Sequence, residues 1–151
     1  MKLAEALILR ADSQKRLEQL KTRVLRSAKV QEGEEPAENP KELLIELEAV
    51  SLELIDLIKR INKTNSSTAF DKRQSIADAL AERDVLVLRR GTYSDLASIA
   101  SLRQDRITRS EVKYIATVSV SETQKQADEL ARKYRELDAR IQELNWQTEL
   151  V

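Results

Sequence analysis

Leu43, Leu47, Val50, Leu54, Leu57 and Ile61 follow one another at spacings of 4, 3, 4, 3 and 4. An apolar stripe that repeats every 3.5 residues lies along one side of an α-helix and needs another helix to cover it. The pattern returns at Ala127, Leu130, Tyr134, Leu137, Ile141 and Leu144, at spacings of 3, 4, 3, 4 and 3. Two such seams in a chain with only two Gly and two Pro commit it to long helices. β-Sandwiches and dinucleotide-binding α/β folds need turn residues and, for phosphate, glycine-rich loops, whereas Gly33 and Gly91 stand far apart. A length of 151 residues fits one helical domain over residues 1–151.

Two further helices complete the reading. The first runs from about Lys2 to Val30, with Leu17, Leu20 and Val24 on a stripe that continues back through Ser13, Arg10, Ala6 and Leu3. The stretch from Gln31 to Asn39 contains Gly33, Pro36 and four glutamates, so it ends this helix, and Pro40 opens the second. The second helix is expected to end in the polar run from Asn62 to Thr68, whose side chains compete for backbone bonds. Thr68 to Ser75 suits a short hairpin about Asp71 and Lys72. The third helix runs from about Ser75 to Ser101, with Ile76, Leu80, Leu86, Tyr93, Leu96 and Ala100 on one side. From Val112 to Val120 the period changes to two, which predicts a strand that pairs either with Thr68–Ser75 or with its equivalent in another subunit. Ser121 and Gln124 form the expected capping box of the fourth helix. The expected fold class is therefore mainly α: long antiparallel helices, as a helical hairpin or coiled-coil bundle, with a short β element.

The net charge of zero conceals segregation. Residues 1–30 carry eight basic and three acidic side chains, and residues 31–58 carry one and nine. A basic helix and an acidic helix joined by a short link should fold back on each other. A balanced chain with pI near 6.4 does not suit general nucleic-acid binding or polybasic attachment to a membrane. No apolar run approaches the roughly 20 residues of a membrane span, and the opening residues do not follow a signal-peptide pattern. The expected location is cytoplasmic.

The chain has neither His nor Cys. Zinc, haem and iron–sulfur sites, thiolate nucleophiles and His-based acid–base chemistry are thereby excluded. Any metal would be a hard cation (magnesium, manganese or calcium) held by carboxylates. The stretches Leu3–Leu9 and Leu80–Leu88 are apolar most of the way round their helices, so something must cover them on every side. A homo-oligomer joined through these stretches is the expected assembly. Trp146, just past the last seam, is expected at an interface.

Lys2-Leu-Ala-Glu-Ala-Leu to Arg10-Ala-Asp, Lys29-Val-Gln-Glu-Gly-Glu-Glu-Pro, Arg60-Ile-Asn-Lys-Thr-Asn, Ala79-Leu-Ala-Glu-Arg-Asp, Arg103-Gln-Asp-Arg and Asn145-Trp form an ordered series over nearly the whole chain. In that order they resemble the septicolysin-like family of small bacterial proteins. The resemblance implies a helical homo-oligomer, such as a hexamer, and a metal site.

Two clusters are candidates for chemistry. Glu5, Asp12, Glu82 and Asp84 sit in apolar surroundings and need a positive partner. That partner is either a divalent cation or the guanidinium groups of Arg10, Arg83 and Arg16. Arg103, Arg106 and Arg109, three residues apart, suit a phosphate or carboxylate, or else a solvated helix end. Asn62 and Asn65 fit helix capping. The expected function is a homo-oligomeric helical scaffold or binding module, and the alternative is a metal-dependent enzyme acting on a phosphorylated small molecule.

Overall fold

A computed structural model of the chain describes residues 1–102 and 112–151. Among these residues there are four helices: α1 (Leu3–Arg26), α2 (Pro40–Ser67), α3 (Ile76–Ser101) and α4 (Val120–Gln147). Two compact units divide the chain, one made of Met1–Ser75 with Glu143–Val151 and the other of Ile76–Gln142.

In the first unit α1 and α2 form the expected antiparallel hairpin. Leu20, Leu43 and Val50 are buried between them, with Leu17, Val24 and Leu47 packed against that core. Each buried aliphatic of this size contributes on the order of 1.5 to 3 kcal/mol. The charge segregation is used across the same seam. Arg16 Nη2 lies 2.7 Å from Glu46 Oε1, and Arg23 holds the Glu38 carboxylate with both Nε and Nη2. Asn39 caps α2 by accepting the Lys41 N–H at 3.0 Å, and Pro40 takes the first turn, where its missing N–H costs nothing. Gly33, between the helices, has φ of 87°, a conformation that side chains with a Cβ rarely adopt.

α2 ends within the polar run from Asn62 to Thr68, as the sequence suggests, but only at its far end. The helix continues to Ser67 because the hydroxyls bond back along it: Thr64 Oγ1 donates to Arg60 O at 2.9 Å and Ser66 Oγ to Asn62 O at 2.9 Å. The expected hairpin follows. Ala69 pairs with Ser75, the Phe70 N–H donates to Gln74 O at 2.9 Å, and Asp71 Oδ1 accepts the N–H groups of Arg73 and Gln74.

The tail of the chain then returns to this unit. The Leu3 N–H donates to Thr148 O, the Leu150 N–H to Met1 O, and the Val151 N–H to the buried Thr64 Oγ1 at 3.0 Å. Lys2 pairs with Glu149, and Arg60 Nε donates to Val151 O. Residues 148–151 thus fasten the start of α1 and the end of α2.

In the second unit α3 buries Ile76, Ala79, Leu86 and Ala97, and α4 buries Ala127, Leu130 and Ile141. Arg83 on α3 reaches Asp138 on α4 at 3.0 Å. The inward face of α3 departs from expectation at one point: Ala97 is buried and Leu96 is 41% exposed. The cap of α4 is Ser119, whose Oγ accepts the Glu122 N–H at 3.3 Å, in place of Ser121. The strand expected over 112–120 does not form among the described residues. Residues 112–119 have no regular structure, and Val120 already belongs to α4. A period-two sequence becomes a strand only where another strand satisfies its backbone; here Tyr114 and Ile115 stand 82% and 81% exposed.

Among the described residues four carboxylates are held below their ordinary range by donors. Arg23 lowers Glu38, backbone N–H groups of Arg73 and Gln74 lower Asp71, Arg132 lowers Glu129, and Lys2 lowers Glu149. Folding therefore favours their ionised forms. The stability they add is present above their unfolded values of 4.5 for Glu and 3.8 for Asp and is lost as pH falls through the lower folded values. Thermal melts followed by circular dichroism should be flat from about pH 7 to 5 and fall below about pH 4. A melting temperature that rises on acidification would contradict these pairings.

Candidate functional site

The four acidic candidates occupy two units, Glu5 and Asp12 on α1 and Glu82 and Asp84 on α3. Glu5 is engaged locally, since its Oε2 accepts the Lys2 N–H at 2.6 Å and so satisfies a free donor at the start of α1. Asp12 and Glu82 are exposed. Asp84 Oδ1 lies 3.3 Å from Arg83 Nη2. Among the described residues no group of three or more carboxylates is placed to hold a metal ion.

The arginines named as alternative partners divide in the same way. Arg83 is shared between Asp84 and the half-buried Asp138. Burial works against its charge, but the hydrogen bonds it donates to these two carboxylates outweigh that and leave the guanidinium more basic than usual. Arg16 pairs with Glu46 and not with a candidate acid. Arg10 Nε is buried with no hydrogen-bond partner. Arg103, Arg106 and Arg109 lie outside the described residues. On α4, Arg132 bridges Glu129 and Glu136, one turn away on either side.

What the described surface does offer is apolar. Met1, Ile8 and Leu9 flank Glu5 around an open groove at the start of α1. On α2, Leu44, Ile45, Leu52 and Ile55 point away from the buried seam, with Ile45 71% exposed. On α3, Val85, Val87, Leu88, Leu96 and Ile99 are exposed as well. Of the two stretches expected to be covered on all sides, Leu3, Ala4, Ala6 and Leu86 are buried within the chain, and Ile8, Leu9, Val85, Val87 and Leu88 are not. Trp146 is 55% exposed beside a buried Asn145. The outward stripe of α2 was not singled out from the sequence, although Ile45, Leu52 and Ile55 are separated by whole turns and form a readable second series.

No helix among the described residues is long and apolar enough to cross a membrane. The chain is similar to a crystal structure described as that of a functionally unknown conserved protein from Corynebacterium diphtheriae, with 52% identity and a TM-score of 0.94 over 100% of this chain and 99% of that one. A comparison with curated proteins finds no match. A family model matches residues 10–150, nearly the entire fold described above, and the chain therefore belongs to DUF6847, a family of unknown function.

Proposed function

We propose that this chain acts as a homo-oligomeric helical scaffold or binding module of the cytoplasm. The observation that carries this reading is the pair of outward aliphatic stripes on α2 and α3, each on a helix whose other side already fills the chain's own core. Aliphatic side chains at such positions add nothing to the fold of one chain and expose it to aggregation, so a covering surface is the economical explanation. The charged side chains support the same reading. Arg16, Arg23, Arg83 and Arg132 are tied into ion pairs that fix a helix to another helix, to the linker or to itself, which is a structural use.

The test is the mass in solution. Light scattering coupled to chromatography at micromolar concentration should give a multiple of 17.3 kDa. A single-chain mass that persists as concentration rises would overturn the proposal.

A further inference from the structure

We infer that the outward face of α3 is where two copies of this chain pair, their α3 helices running antiparallel about a twofold axis. This inference rests on the homo-oligomer reading and names its interface. α3 carries two helical series. One, with Ile76, Ala79, Leu86 and Ala97, is buried in the chain itself. The other is Val85, Leu88, Thr92, Asp95 and Ile99, at spacings of 3, 4, 3 and 4, and Leu102, three residues on and just past the end of the helix, continues it. At roughly 100° per residue it runs about half a turn away from the first. Its aliphatic members are exposed, Leu88 at 71%, Ile99 at 68% and Leu102 at 70%.

A 3.5-residue repeat is what a helix presents to a coiled-coil neighbour, and the pattern selects the neighbour. Reversed and laid on itself, the stripe is self-complementary. Leu88 falls opposite Ile99 of the second copy, Val85 opposite Leu102, and Thr92 opposite Asp95. Such a match of a surface with itself is the signature of an isologous contact. Parallel pairing would instead set Asp95 against Asp95, two like charges in one apolar layer. Antiparallel pairing offsets the carboxylates by about 4.5 Å along the axis and gives each a small polar residue to face.

Gly91 is a second, independent pointer. A glycine inside a helix weakens it, and an added Cβ at Gly91 would meet nothing within 4 Å in the chain, so no packing inside the chain accounts for it. In the antiparallel arrangement Gly91 borders the stripe and lies across from Ser98 of the second copy, two small residues that let the helices approach.

The natural chain has no cysteine, so introduced thiols report on this contact without background. The variant Leu88→Cys/Ile99→Cys should form a covalent dimer under mild oxidation. Neither Leu88→Cys nor Ile99→Cys should do so, because like residues would sit roughly 16 Å apart, beyond disulfide reach. Both positions are exposed, and circular dichroism checks that the helices are intact. Cross-linking by a single variant as efficient as by the double variant would overturn the antiparallel arrangement. A double variant that fails to link but keeps a multimeric mass would place the interface elsewhere and leave the homo-oligomer standing. Failure to link together with a single-chain mass would remove both.

Discussion

Replacing Leu20 with aspartate should dismantle the α1–α2 hairpin. Leu20 has no exposed surface and lies at the centre of the cluster with Leu43 and Val50, where water cannot follow a carboxylate. Truncation to alanine alone is expected to cost about 2 to 5 kcal/mol through lost burial and the cavity left behind. Aspartate adds the desolvation of a charge, while the neighbouring Arg16 and Arg23 are already paired with Glu46 and Glu38, and the sum approaches or exceeds the roughly 5 to 15 kcal/mol by which a domain is stable. The variant should lose a large share of its helical circular dichroism at neutral pH. Leu25, on the same helix but 65% exposed, supplies the control. Leu25→Asp should keep the helical signal, because it changes solvent-facing surface only. If Leu20→Asp retained full helicity and a sharp melt, the hairpin core would have to be elsewhere.

The seam residues could be read from the sequence because a 3–4 repeat has one simple structural meaning, and the α1–α2 pairing followed from charges that the linker brings back together. The errors share a different cause: each concerned a group whose behaviour depends on what is nearby. The run from Asn62 to Thr68 does hold the end of α2, but where within it the helix stops depends on the hydroxyls of Thr64 and Ser66, which bond back along the helix and carry it to Ser67. Val112 to Val120 alternates correctly for a strand, but alternation supplies no partner. Glu5 looked like a stranded carboxylate when only its apolar neighbours were considered; the start of α1, three residues earlier, provides the donor. On α3 two interleaved series resembled a single helix apolar all round, and only burial separates the inward set from the outward one. The tail could not have been read at all, since Thr148 to Val151 carry no periodicity and act through backbone groups.

That tail carries the second large expected effect. Ending the chain after Gln147 should lower the melting temperature of the first unit by on the order of 10 °C. Residues 148–151 satisfy the Leu3 N–H, supply a donor to Met1 O, and place the Val151 N–H on Thr64 Oγ1, a side chain with no exposed surface at all. A net contribution of about 0.5 to 1.5 kcal/mol per hydrogen bond gives a few kcal/mol for the set, and about 4 to 8 °C accompanies each kcal/mol in a unit this small. Charge is the lesser part of the effect. Glu149 is well exposed and Lys2 partly so, and solvent screens their pair, so Glu149→Gln should shift the melt by no more than about 1 to 3 °C. Thr64→Val separates the two contributions further, because it keeps the shape of a buried side chain and removes the oxygen that the Val151 N–H needs, at about 1 to 3 kcal/mol. Differential scanning calorimetry of the three variants should rank them with the truncation most destabilised, Thr64→Val next and Glu149→Gln nearly unchanged. Equal melts for the truncated and full chains would mean that the start of α1 and the end of α2 hold without the strap, and that its backbone bonds merely exchange one set of water contacts for another.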